Sequence, residues 1–270
     1  MKISFIGGGN MASAIIGGLL RQGFSAADLH VVEPYAPGRE KLAREFGVAV
    51  SAQADAALAQ SEVIVLAVKP QQMHEAVAPL RTHLVKQLVV SIAAGIRLTD
   101  LARWLGGYAR LVRCMPNTPA LIGAGITALY ADDSVDSVGR AAAQQVLAAV
   151  GRAVWVDDEA LIDPVTAISG SGPAYVFYFL EAMQEAGREL GLPEATTREL
   201  ALETFIGAAR LAAQSPETFA TLRERVTSKG GTTAAALQVM NDNDMKASFI
   251  KALKAASNRG RELGEEMGKS

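Results

Sequence analysis

The 270-residue sequence predicts an α/β protein, with a doubly wound sheet in its first part and helices alone in its second. Three observations carry this expectation. An apolar strand runs into a glycine-rich turn at the start of the chain. Strand and helix signals then alternate as far as Ala153-Val154-Trp155-Val156. Beyond that point strand signals stop and long helical patterns follow, so the two parts need different cores.

The first element is Lys2-Ile3-Ser4-Phe5-Ile6, entering Gly7-Gly8-Gly9-Asn10-Met11-Ala12, and Met11 to Leu20 continues as a helix with small residues along one side. This is a Gly-x-Gly-x-x-Ala turn between strand and helix, the dinucleotide-binding signature of a Rossmann-like sheet. Gly7 makes the tight turn, Gly9 lets a pyrophosphate approach the backbone, and Ala12 lets helix and strand pack closely. Ile6, Gly8, Asn10 and Met11 complete the candidate cofactor loop. Leu29–Glu33, Val48–Val50, Val63–Ala67, Leu88–Ile92 and Ala109–Met115 read as short buried strands with helical segments between them. Glu33 follows the glycine turn by about 20 residues, the place from which an acid holds the adenosine ribose of NAD. Arg39 and Lys41 open the next helix and are placed to reach a 2′-phosphate instead.

Ligands of open α/β sheets bind outside the carboxyl ends of the strands. Three further loops fall there: Ala67-Val68-Lys69-Pro70, Ser91-Ile92-Ala93-Ala94-Gly95 and Arg113-Cys114-Met115-Pro116-Asn117-Thr118-Pro119. From them Ala67, Val68, Lys69, Pro70, Ala93, Ala94 and Asn117 join the candidate cofactor site, for NADP(H) or NAD(H).

The second half begins with Asp163–Ile168 and a break at Ser169-Gly170-Ser171-Gly172-Pro173. Helices are expected at Ala174–Leu190, Glu194–Gln214, Pro216–Val226, Thr232–Asn241 and Met245–Met267. The division expected is 1–160 for the dinucleotide domain and 161–270 for a helical substrate-binding and dimerisation domain. Ala174-Tyr175-Val176-Phe177-Tyr178-Phe179-Leu180 is apolar nearly all round and needs covering on every side. One small domain supplies too little cover, so a homodimer through these helices is expected.

Composition narrows the classes. A formal charge of −2 gives no electrostatic reason to expect nucleic acid or a membrane surface as partner. No apolar run reaches the roughly 18 residues of a membrane span, and the start of the chain lacks a signal-peptide layout. A cytoplasmic enzyme is expected. The one cysteine, Cys114, excludes an internal disulfide, and no His/Cys set has metal-ligand spacing, so no metal is expected.

Val226-Thr227-Ser228-Lys229-Gly230-Gly231-Thr232-Thr233-Ala234-Ala235-Ala236-Leu237 carries the second chemical signal. Gly230 and Gly231 turn the backbone so that its N–H groups stand at the start of an Ala-rich helix, where an anion is favoured. The hydroxyls of Ser228, Thr232 and Thr233 can serve a substrate carboxylate on one side and its nitrogen on the other. Taken in order with the glycine turn, Ala67–Pro70, Met115–Pro119 and Ser169–Tyr175, this segment resembles the pyrroline-5-carboxylate reductase family along the whole chain.

The resemblance implies reduction of the cyclic imine 1-pyrroline-5-carboxylate to L-proline with NAD(P)H, in a dimer or a larger assembly. It puts the carboxylate site on Ser228, Gly231, Thr232 and Thr233, and an acidic residue near the substrate at Glu159. Such an imine can arrive already protonated, and residues 84–270 contain no histidine to act as an acid. Thr233 is therefore the candidate catalytic residue, orienting the ring nitrogen by a hydrogen bond. Two rivals fit less well. A β-hydroxyacid dehydrogenase needs a lysine early in its helical domain, and no lysine lies between Lys86 and Lys229. A non-enzymatic dinucleotide sensor has no use for a second anion pocket.

Overall fold

The computed structural model describes residues 1–269. In chain order its first elements are β1 (Ile3–Ile6), α1 (Asn10–Arg21), β2 (Leu29–Val32), α2 (Ala36–Phe46), β3 (Ala49–Ser51), α3 (Ala57–Gln60), β4 (Val63–Leu66) and α4 (Met73–Val77). There follow β5 (Leu88–Ser91), α5 (Leu98–Trp104), β6 (Leu111–Met115), β7 (Gly125–Tyr130), α6 (Ser137–Ala148), β8 (Gly151–Trp155) and α7 (Ile162–Val165). The helical remainder is α8 (Gly172–Glu189), α9 (Glu194–Gln214), α10 (Phe219–Arg225), α11 (Thr232–Asp242) and α12 (Met245–Met267).

The eight strands form one sheet in the order β3-β2-β1-β4-β5-β6-β7-β8. β1 to β6 are all parallel, β7 is antiparallel to β6, and β8 is parallel to β7. The strand order reverses between β1 and β4, which makes that crevice the topological switch point. Parallel strands covered on both faces must be apolar on both, and β1 and β4 are buried throughout. One face packs Ile3, Phe5 and Val65 against Ile15, Ile16 and Leu19 of α1 and Val146 and Leu147 of α6. The other packs Ile6, Ile64 and Leu66 against Leu58, Met73, Leu101 and Trp104. Each such side chain contributes about 1.5–3 kcal/mol by leaving water.

The small residues of α1 have a physical purpose. Ala12 is fully buried, and a Cβ added at Gly18 would lie 2.2 Å from the Ala149 carbonyl oxygen. The turn and its helix are thereby held tightly between β1 and the end of α6.

Two local expectations need correcting. β7 was not anticipated from the sequence: Gly-Ile-Thr-Ala-Leu-Tyr has little alternation of its own, and it is a strand because β6 and β8 both pair with it. Nor is Ser169–Pro173 a full break. Thr166–Gly170 is a π-helical turn closed by Ser171 N–H donating to the Thr166 carbonyl at 2.8 Å, and α8 starts at Gly172. A Cβ on Gly170 would meet Met115 Cε at 2.5 Å, so glycine lets this turn press onto the end of β6.

The chain forms two compact units, one of residues 1–171 with the chain from Ala255 on, the other Gly172–Lys254. They part after Ser171, since α7 packs on β6 and β7. The chain from Ala255 returns to the first unit, where Leu263 lies against Gly95. In the second unit α8 and α9 form a hairpin, so close that a Cβ on Gly187 would lie 2.1 Å from Thr197 Cγ2. Phe249 of α12 meets Tyr175 and Phe179 of α8 at ring distances of 5.7 and 5.8 Å. Among the described residues of this unit, Ala201 is the only fully buried apolar side chain. Phe177, Tyr178 and Phe219 are 65%, 67% and 80% exposed. Among the described residues no helix is long and apolar enough to cross a membrane.

Candidate active site

The first unit brings the candidate cofactor residues to one edge of the sheet. Gly7–Met11 follow β1, Glu33 follows β2, Ala67–Pro70 follow β4, Ala93 and Ala94 follow β5, and Asn117 follows β6. Because these five strands are parallel, every one of those loops leaves the sheet at its carboxyl end.

The glycine turn has the geometry a pyrophosphate needs. Gly7 has φ +94°, donates its N–H to the Val32 carbonyl at 2.8 Å, and would place a Cβ 2.9 Å from the Ala67 carbonyl oxygen. No L side chain is at ease there. Gly9 is the N-cap of α1, no side chain caps that helix, and a Cβ on Gly9 would meet nothing within 4 Å. The open space therefore lies at Gly9, in front of a free helix N-terminus, where a dinucleotide's phosphates fit. Asn10 and Lys69 are exposed beside it, while Met11, Val68 and Pro70 are half-buried.

Glu33 is more tightly held than its sequence position suggests. One carboxylate oxygen accepts the Gly8 N–H at 2.9 Å and the other accepts the Tyr35 N–H at 2.9 Å. Beyond the switch point lies a cavity of about 510 Å³ whose lining includes Gly7, Val32, Pro34, Val68, Gln72 and Glu75. Its size and largely apolar wall suit the adenosine half of a dinucleotide.

Asn117 is bonded to protein partners through both its polar atoms, and Glu159 through Oε1. The Asn117 side chain accepts the Ile126 N–H at 3.0 Å and donates to the Ser169 carbonyl at 3.2 Å, tying the β6 loop to the π-helical turn. Glu159 accepts the Leu98 N–H at 2.8 Å and an Arg113 guanidinium N–H at 3.0 Å. Arg113 is 3% exposed, and its other branch reaches Asp163 at 3.4 Å. One buried cation thus joins β6, α7 and the start of α5.

In the second unit, Gly230 has φ +74° and Gly231 is the N-cap of α11, its N–H bonded to the Ser228 carbonyl at 3.0 Å. No side chain caps this helix. A Cβ on Gly231 would be 2.4 Å from Ser228 Oγ, so only glycine lets that hydroxyl reach the helix mouth. Thr232 is exposed and Thr233 half-buried in the first turn. The segment offers N–H groups and hydroxyls with no carboxylate among them, a set that receives an anion.

Sequence reasoning missed Arg113 and Asp163 as a unit. The signal was available: an arginine inside the apolar run Leu111–Met115 requires a buried counter-charge. Gln72 and Glu75 were missed for want of any local signature.

Fold and crevice together define a Rossmann-class dinucleotide-dependent oxidoreductase. A family model described as pyrroline-5-carboxylate reductase dimerisation matches residues 159–263, and one described as NADP oxidoreductase coenzyme F420-dependent matches residues 2–95. The pyrroline-5-carboxylate reductase of Pseudomonas aeruginosa is 48% identical over 270 residues, covering 99% of this chain and 98% of its own. That of Arabidopsis thaliana is 35% identical over 266 residues, covering 98% and 96%. The solved structure of a pyrroline-5-carboxylate reductase from Coxiella burnetii matches with a TM-score of 0.92 at 40% identity, over 97% of this chain and 98% of that one. The chain belongs to the pyrroline-5-carboxylate reductase family, and it is an NAD(P)H-dependent enzyme.

Proposed function

We infer that the chain reduces the imine of 1-pyrroline-5-carboxylate to L-proline, using the Ser228–Thr233 turn for the substrate and the glycine turn for NAD(P)H. The observation that carries the substrate assignment is the uncapped start of α11, with the Ser228 hydroxyl held at its mouth by Gly231. A carboxylate there gains hydrogen bonds from N–H groups and the positive end of the helix dipole. Gly230, Gly231 and Thr232 supply the backbone turn, and Ser228 a hydroxyl donor.

Thr233 takes the ring nitrogen. Its hydroxyl orients the imine and, in the product, the amine, and no strong acid is required when the imine binds protonated. Bound NAD(P)H supplies the hydride that the imine carbon accepts. Gly7, Gly8, Gly9, Asn10 and Met11 hold the pyrophosphate, with Lys69 adding positive charge at the crevice edge. Ala67, Val68, Pro70, Ala93 and Ala94 close the wall around the cofactor and exclude water. Asn117 acts here as a positioning residue, its amide oxygen and nitrogen both bonded within the protein, while Glu159 braces Leu98 and Arg113 through Oε1 and keeps Oε2 for the substrate side.

We also assign a homodimer. The second unit has a single fully buried apolar side chain among its described residues and exposes Phe177, Tyr178 and Phe219. Burying such aromatic area against a second copy is the stabilising step it lacks alone. A cytoplasmic location is in keeping with the free thiol of Cys114, which burial pushes far above its ordinary pKa and renders inert.

The test is oxidation of NADH or NADPH by the purified protein on adding 1-pyrroline-5-carboxylate, run beside 3-hydroxy acids with NAD+ and NADP+. Turnover with the imine alone is expected. Turnover with a 3-hydroxy acid alone would overturn the assignment.

A further inference from the structure

We propose that Glu33 reads the adenosine ribose as an unphosphorylated diol, making this enzyme one that works with NADH in preference to NADPH. The inference rests on the reading that a dinucleotide occupies the glycine turn, and adds which of the two it is.

The first support is that Glu33 is a built element. Its two oxygens accept the Gly8 and Tyr35 N–H groups, each at 2.9 Å. A Cβ on Gly38 would lie 3.2 Å from Glu33 Cγ, so the glycine at the start of α2 leaves room for this rotamer. Those bonds fix the carboxylate at the end of β2 yet occupy only part of its accepting capacity, because each oxygen offers about two lone-pair sites. The remaining sites suit the two hydroxyls of a ribose, and the Gly8 bond ties the carboxylate to the loop that holds the pyrophosphate.

The second support is the charge around the cavity. Its lining contains no lysine or arginine and carries one carboxylate, Glu75, while Glu33 stands between the lining residues Val32 and Pro34. Arg39, one of the two candidates for a 2′-phosphate, has Nη1 donating to the carbonyl oxygens of Glu33 and Pro34, at 2.7 Å each. That guanidinium braces the backbone of the turn and makes no ion pair with the Glu33 carboxylate. A 2′-phosphate would meet a fixed negative group with two of its bonds already made, and like charges brought together discriminate strongly. The sequence set Glu33 against Arg39 and Lys41 at this end of the cofactor, and the bonds made by Glu33 and Arg39 favour Glu33.

Dissociation constants for NAD+ and NADP+ are measured by calorimetry at low and high salt, for wild type, Glu33→Ser and Glu33→Gln, together with kcat/KM for NADH and NADPH. Wild type is expected to bind NAD+ at least about tenfold more tightly than NADP+, with the gap narrowing as salt screens the repulsion. Both substitutions are expected to shift the ratio towards NADP+ by about tenfold or more. Glu33→Gln nearly preserves the side chain's shape, so it separates loss of charge from loss of fold. Tighter NADP+ binding in wild type, or a ratio unmoved by both substitutions, would overturn the inference while leaving the dinucleotide site intact. Failure of both dinucleotides to bind wild type would overturn the underlying reading as well.

Discussion

Glu159→Gln separates the two roles open to this residue. Glu159 Oε1 accepts both the Leu98 N–H and the Arg113 guanidinium, at 2.8 and 3.0 Å. A glutamine keeps an acceptor for both but removes the charge, leaving Arg113 with Asp163 at 3.4 Å as its one ionic partner among the described residues. A charge-assisted hydrogen bond contributes about 1.5–3 kcal/mol against about 0.5–1.5 for a neutral one. The Glu159 side chain is 21% exposed, so solvent screens part of that difference. The expected loss is about 1–2 kcal/mol, a factor of roughly 5–30 in the folded-to-unfolded ratio. Urea unfolding reads it, and KM for the imine is expected to stay within about twofold of wild type, because in this arrangement the carboxylate supports β6 and α5. A KM raised tenfold or more with stability unchanged would refute the reasoning and make the substrate, not Arg113, the main partner of the Glu159 charge.

Other outcomes follow from the same geometry. Gly7→Ala forces an alanine to φ +94° against the Ala67 carbonyl, at a cost of about 1–3 kcal/mol, so calorimetry should show dinucleotide binding weakened tenfold or more; unchanged binding would contradict it. His30 lies between the hydroxyls of Ser4 and Ser51, and burial lowers its pKa below 6.5 against the opposing pull of Asp55. The unfolded chain therefore binds the extra proton more readily, so this contribution is complete above pH 6.5 and is lost as pH falls towards the folded value. Urea midpoints at pH 7.5 and 5.5 should drop further in wild type than in His30→Gln, and equal drops would count against it. Sedimentation at micromolar concentration should show no stable monomer, and a fully active monomer would contradict the homodimer.

How far the sequence reached depended on the range of the interaction involved. The glycine turn, β1 to β6 and the α8–α12 helices announce themselves in local patterns, because a strand buried on both faces must be apolar and a helix must repeat its apolar face. β7 escaped because its stability comes from neighbours on both sides, and the π-helical turn because the contact favouring it is with Met115, far away in the chain. At the crevice, the positions of Gly7 and Gly9 after β1 and of Glu33 after β2 are legible from spacing alone. The partners of Glu159 are not, since Arg113 lies 46 residues distant in sequence. Glu33 shows the same limit: spacing put it at the end of the second strand, while its bonds to Gly8 and Tyr35 emerge only from the folded loop.

The most direct test of the central claim is kcat/KM for 1-pyrroline-5-carboxylate in wild type and Thr233→Ala, with melting temperature and dinucleotide affinity as controls. Losing one well-placed hydrogen bond to the ring nitrogen removes about 1–3 kcal/mol of transition-state stabilisation. A fall of roughly ten- to a hundredfold is predicted, with both controls unchanged. Turnover of the imine at the wild-type rate by Thr233→Ala would contradict the claim and move the substrate away from the Ser228–Thr233 turn.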